Sequence, residues 1–177
     1  FVSETGVAGL TLGGGFGYLS RQFGFTVDDL VEVEIVTADG QIRPASREVE
    51  PDLFWAIRGG GGNYGVVTGF TYRLHDIGPD IVAGLIAWPA ADHAEDVLAI
   101  YQEMTTTAPR ELTLVCTTRL APPAPFIPEV WHGKPIVAIV ACHTGDPRQA
   151  DEDLAPLKAL GKPVADLIMP KTYVGQQ

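Results

Sequence analysis

Glycine is unevenly distributed along this chain, and its placement constrains the fold more than any other feature. Of 20 glycines in 177 residues, fifteen fall within residues 1–78. Two groups are dense, Gly13-Gly14-Gly15-Phe16-Gly17 and Gly59-Gly60-Gly61-Gly62. Glycine costs roughly 0.5–1 kcal/mol relative to alanine wherever regular structure would serve, so such groups signal left-handed backbone or a close approach to the main chain. Proline runs the other way: Pro44 and Pro51 precede residue 79, and the remaining twelve of 14 follow. The composition therefore breaks near Gly78-Pro79 and divides the chain into residues 1–78 and 79–177.

Charge and cysteine content exclude several classes. Twelve Lys and Arg against 22 Asp and Glu leave a net charge of −10, and no Lys occurs before residue 79. Such a chain lacks the basic patch that displaces counterions from a nucleic-acid backbone. Two cysteines, Cys116 and Cys142, build neither a disulfide scaffold nor a cysteine zinc site. No apolar run approaches the roughly 18 residues of a membrane span. Acidity and two separate cysteines are compatible with the cytoplasm without assigning it. The opening at Phe1-Val2, with neither Met nor a signal-peptide pattern, leads us to expect a fragment.

Patterning predicts an α+β chain. Residues 18–23 suit one or two helical turns closed by Gly24. Residues 31–37 alternate as a half-buried strand, Asp39-Gly40 suits a hairpin turn, and residues 41–46 supply the returning strand. Residues 52–58 predict a short helix with Asp52 in its first turn and Arg58 in its last, and residues 66–74 a β-branched strand. In the second segment, strands are expected at 81–88, 112–120, 136–142 and 164–169, with helices at 90–106 and 147–160. Val97, Ile100, Tyr101 and Met104 fall on one helix face, and Leu154, Leu157 and Leu160 on another. This β-α-β-β-α-β order is that of the ferredoxin-like motif. The Pro-rich residues 122–128 are expected to form a surface loop.

Candidate motifs concentrate in the glycines. Gly60-Gly61-Gly62-Asn63-Tyr64-Gly65 satisfies GxGxxG, yet a helix precedes it and a strand follows, the reverse of a dinucleotide-binding turn. No P-loop Gly-Lys-Ser/Thr occurs. Two readings of the glycines stay open: tight turns between packed elements, or concavities of N–H groups that bind anions without Lys or Arg. His75, His93, His132 and His143 lack metal-ligand spacing. Ser3, Ser20 and Ser46 lack a nucleophile-elbow context. Asp28-Asp29 and Asp151-Glu152-Asp153 are expected to cap or solvate element ends. Tyr18, Trp55 and Tyr64 beside the glycines are placed to contact a flat ring, but single aromatics more often sit in the core, which is the expectation for them. No catalytic constellation and no metal site emerge.

Two blocks carry a family resemblance. Residues 5–17, Thr5-Gly6-Val7-Ala8-Gly9-Leu10-Thr11-Leu12-Gly13-Gly14-Gly15-Phe16-Gly17, are followed by Ser20-Arg21-Gln22-Phe23-Gly24 and Asp29-Leu30. The second block is Asp52-Leu53-Phe54-Trp55-Ala56-Ile57-Arg58-Gly59-Gly60-Gly61-Gly62-Asn63-Tyr64-Gly65-Val66-Val67-Thr68. Together they resemble the FAD-linked oxidases related to berberine bridge enzyme. Met169-Pro170 and Gln176 resemble, less specifically, the start of that family's substrate domain.

The resemblance implies a PCMH-type FAD-binding domain, of the vanillyl-alcohol oxidase and p-cresol methylhydroxylase kind, of which residues 1–78 are the C-terminal part. Residues 79–177 would begin the substrate domain. It implies that Val2, Thr5, Gly6, Ala8, Gly9, Gly13, Gly14, Gly15 and Gly17 line the flavin and its diphosphate, and that Gly65 and Val67 offer main-chain groups to the cofactor. Members with a second, cysteine-linked flavin bond carry that cysteine where Val2 stands, so no such link is implied. The family's first flavin subdomain would precede Phe1, and the segment closing over the flavin would follow Gln177. The implied activity is hydride transfer from a small organic substrate to flavin N5, with O2 regenerating the oxidised flavin and yielding hydrogen peroxide. The alternative is a non-catalytic fragment or degenerate homologue whose glycine turns are structural.

Overall fold

The computed structural model describes Val2 and residues 4–177; Phe1, where the chain opens, and Ser3 lie outside the described residues. The chain forms two compact units, Phe1–Ile77 and Gly78–Gln177.

In the first unit, helix α1 (Val7–Leu12) leads to a short helix α2 (Ser20–Phe23), which Gly24 terminates. Strand β1 (Leu30–Val36) is the centre of an antiparallel sheet, flanked by β2 (Ile42–Ser46) and β3 (Val66–Tyr72). The β1–β2 hairpin closes at Asp39-Gly40, as the sequence predicts; Gly40 N donates to Thr37 O at 2.9 Å and Thr37 N to Gln41 O at 3.1 Å. Helix α3 (Pro51–Gly60) buries Phe54 and Ile57, one turn apart, against Leu30, Val33, Ile35 and Ala45 of the sheet. Its helical geometry breaks at Arg58 (φ −78°, ψ 80°) and Gly59, and a 3-10 turn over Gly61–Tyr64 follows. Helix α1 is a departure from the sequence reading, which assigned residues 5–17 no regular structure. Glycine-rich composition hid a six-residue helix fixed by tertiary packing.

The second unit has the expected ferredoxin-like order. Strands β4 (Asp80–Pro89), β5 (Leu112–Leu120) and β6 (Pro135–His143) join β7 (Ala165–Asp166) in the antiparallel order β5-β6-β4-β7, and β8 (Met169–Thr172) also pairs with β4. Helices α4 (Ala90–Thr107) and α5 (Pro147–Lys158) pack on one sheet face. Val82, Ile86 and Trp88 of β4 alternate onto that face, meeting Val97, Met104, Leu154 and Leu157. A last short helix, α6 (Tyr173–Gln176), follows β8.

Two expectations need correction. The single last strand, 164–169, is split into β7 and β8, because the chain at Leu167 and Ile168 crosses Gly84 so closely that a Cβ there would collide with the Leu167 carbonyl. The Pro-rich loop is not merely superficial: Ala121 and Ile127 are buried against Ala87, Ile136 and Ala138 on the sheet's second face.

Candidate functional site

Helix α1, which leads into the first glycine group, packs against both α3 and the Gly61–Tyr64 turn of the second. Three contacts fasten this neighbourhood. Thr11, fully buried, donates its hydroxyl to Val7 O at 2.7 Å and lies 2.7 Å from the Tyr72 hydroxyl, so Tyr72 is the donor to Thr11. Thr26 N and Val27 N donate to Gly15 O and Gly14 O, each at 2.9 Å. Arg58 reaches the Val27 carbonyl through Nε at 3.3 Å.

The glycines sort by what a side chain would meet. At Gly15 (φ +83°) a Cβ would press on Thr26, and at Gly65 (φ +149°) on the Val36 carbonyl, so folding alone requires glycine at both. Gly6, Gly9 and Gly17 differ. Their φ is not in the left-handed region, and a Cβ would meet nothing within 4 Å. Gly9 even occupies the interior of α1, where alanine is favoured by about 0.8–1.0 kcal/mol. Neither conformation nor packing among the described residues accounts for these three glycines.

The expected cofactor residues fall accordingly. Val2, Thr5, Gly6, Ala8, Gly9 and Gly13 are exposed, while Gly14, Gly15 and Gly17 are half-buried. Gly6 caps α1 with no side chain, and no side-chain cap bond to the first turn occurs among the described residues. Within the 5–17 stretch some main chain is already committed: Leu10 N bonds Gly6 O, Gly13 N bonds Gly9 O and Gly14 N bonds Thr11 O. Gly65 lines an open depression of about 400 Å³ with Val36, Gly62, Tyr64 and Val66. Val67 pairs with Ile35 in the sheet and packs on the core.

Several side chains stand elsewhere than expected. Tyr18 is buried, but Trp55 is 76% and Tyr64 44% exposed, so the core assignment fails for both. In sequence the two flank the second glycine group. Asp28 does cap, accepting from Phe25 N at 2.9 Å. Asp29 instead holds His75 Nε2 at 2.7 Å, and the imidazole stacks on Phe23 with centroids 4.0 Å apart. In the second unit Asp153 pairs with His143 Nε2 at 2.9 Å, while His143 Nδ1 accepts from Gly145 N at 3.2 Å. That fixes the proton of neutral His143 on Nε2, and both nitrogens are engaged. No group of three or more His, Cys, Asp and Glu able to hold a metal occurs among the described residues. Burial pushes the Cys142 thiol up to about 11, away from the thiolate. Sequence reasoning missed Thr11, Tyr72 and Arg58 as fasteners. Only Arg58, a cation directly before four glycines, left a readable signal.

An exposed, glycine-edged strip of main chain without lysine suits an elongated anionic cofactor held by N–H groups. Residues 1–46 match the FAD binding domain family. A FAD-linked oxidoreductase of Dictyostelium discoideum is 32% identical over 177 residues, covering 99% of this chain and 36% of that protein. The crystal structure of 6-hydroxy-D-nicotine oxidase from Arthrobacter nicotinovorans superposes with a TM-score of 0.82 at 29% identity, over 97% of this chain and 36% of that one. Physcomitrella patens BBE-like 1 gives 0.75 at 26%, over 94% and 33%. The chain is homologous to the berberine bridge enzyme-like FAD-linked oxidases and has the PCMH-type fold of the corresponding part of those proteins. It spans about a third of their length, and FAD is the cofactor of the matched domain.

Proposed function

We propose that the protein carrying this chain is a FAD-dependent oxidoreductase acting on a small organic substrate. In this reading the first unit is the C-terminal part of the FAD-binding domain, and the second begins the substrate domain. The observation that carries it is the trio Gly6, Gly9 and Gly17, glycines that the fold itself does not need. A cofactor lying along α1 and the turn after it supplies the missing reason: any side chain there would stand between the main chain and the ligand.

The residues present fit FAD. Thr5, Gly6, Ala8 and Gly9 would offer main-chain groups at the start of α1, with Gly13, Gly14, Gly15 and Gly17 continuing the strip and Val2 beside it. Gly65 and Val67 would border it from the second block. Bound there, FAD would accept hydride at N5 from a substrate C–H bond and be reoxidised by O2, releasing hydrogen peroxide. The chain's own part is to orient the cofactor and to exclude water from it.

The test is Gly9→Ala, made in the protein with its flanking reading frame. Flavin fluorescence titration should show weaker FAD binding, while thermal unfolding of the apoprotein should occur at an equal or higher temperature. Wild-type protein that folds but takes up no FAD would support the alternative, a non-catalytic homologue with structural glycine turns.

A further inference from the structure

Arg58 occupies the point where α3 breaks, one residue before Gly59. Its guanidinium makes three contacts away from its own helix terminus or along it: Nε to Val27 O at 3.3 Å, Nη2 to Asp28 Oδ1 at 3.5 Å, and its carbon 5.5 Å from the Phe54 ring centroid. The turn it grips, Thr26–Asp29, is itself bonded to the first glycine group. Thr26 N and Val27 N donate to Gly15 O and Gly14 O, and Thr26 Oγ1 donates to Gly15 O at 3.2 Å. A continuous series of polar contacts thus runs from Gly14 and Gly15, through residues 26–28, to the side chain that immediately precedes Gly59–Gly62.

We infer that Arg58 is a positioning residue that sets the spacing of the two glycine groups, acting through the Thr26–Asp29 turn. Its relevance to the cofactor rests on the function proposed above. Only a planar fork can hold a carbonyl and a carboxylate together while lying over an aromatic ring; an ammonium is a single point of charge. The side chain is largely buried, 21% exposed, whereas its acidic partner Asp28 is 49% exposed. The carbonyl bond and the ring contact therefore carry the placement more than the screened ion pair does.

The experiment compares wild type, Arg58→Met, Arg58→Lys and Ile57→Val in the full protein. Ile57→Val trims the buried face of the same helix and reports what destabilisation alone does. Amide hydrogen exchange at Thr26 and Val27, read without FAD, should accelerate about tenfold in Arg58→Met, the loss of one charge-assisted hydrogen bond. It should accelerate less in Arg58→Lys and not at all in Ile57→Val. FAD affinity should follow the same order. Unchanged exchange in Arg58→Met, or equal acceleration in Ile57→Val, overturns the inference. Because exchange is measured on the apoprotein, a wild type that binds no FAD would refute the proposed function and leave this result separately readable. Should Arg58→Met fail to fold, Arg58→Lys carries the comparison: exchange and affinity identical to wild type would overturn the need for the fork.

Discussion

The Tyr72 hydroxyl donates to Thr11 Oγ1 across 2.7 Å, and that bond ties α1 to β3 of the sheet. Thr11 spends its own proton on Val7 O, four residues back in the helix. The two partners are therefore unequal. Tyr72→Phe removes a donor but leaves Thr11 bonded, and should cost about 0.5–1.5 kcal/mol. Thr11→Val leaves the Tyr72 hydroxyl without its acceptor in a part-buried place and should cost about 1–3 kcal/mol. Denaturant unfolding of the two variants checks the order; equal losses would mean that the bond does not set it.

The glycines yield a contrast within one segment. Gly6→Ala and Gly9→Ala should leave the fold intact, with Gly9→Ala gaining about 0.5–1 kcal/mol from helix propensity. Gly15→Ala, at φ +83° and pressed on Thr26, should lose about 1–3 kcal/mol. If FAD lies along α1, the first two variants bind it more weakly despite their stability, and unfolding curves with and without FAD separate the effects. Three variants with parallel stability and affinity would mean that the open glycines face no ligand.

The sequence carried the periodic elements and not the irregular ones. Strand β1, the Asp39-Gly40 hairpin and the inward rows of α4 and α5 announced themselves because apolar alternation is written residue by residue. Helix α1 did not, since Gly9 lowers its propensity and its stability comes from contacts with Tyr72 and α3, which are far from it in sequence. The break between β7 and β8 was hidden for the same reason: it depends on the close passage of Leu167 over Gly84. At the candidate site, glycine clustering showed that backbone is approached closely. Only coordinates separate Gly15 and Gly65, which the fold itself needs, from Gly6, Gly9 and Gly17, which it does not.

In the second unit, Trp88 is fully buried, and its Nε1 donates to the Leu160 carbonyl at 2.7 Å, just beyond α5. Trp88→Phe keeps an aromatic ring but strands that carbonyl and leaves a void beside Val97 and Leu157. A loss of about 2–4 kcal/mol follows from the unpaired acceptor and the cavity together. The denaturant midpoint measures it. A loss below about 1 kcal/mol would show that water or a rearranged loop replaces the indole N–H.

The hairpin turn makes a pH prediction whose sign is determined. The Thr37 hydroxyl, the Arg43 guanidinium 2.8 Å away and the Gln41 N–H all favour ionised Asp39, holding its carboxyl at about 2 against an ordinary 3.8. Because the folded-state value is depressed, the stabilisation is fully present above the ordinary value and is lost as pH falls toward about 2. Wild type should therefore exceed Asp39→Asn in stability at neutral pH, and the gap should close as the medium is acidified from about pH 4 to about pH 2. The Asp39 side chain is exposed, so the part of the shift due to the Arg43 charge should shrink in high salt, while the hydrogen bonds from Thr37 and Gln41 persist. A carbon-detected titration of the Asp39 carboxyl reads this directly. A midpoint near the ordinary value at low salt would mean that the turn does not hold this geometry in solution.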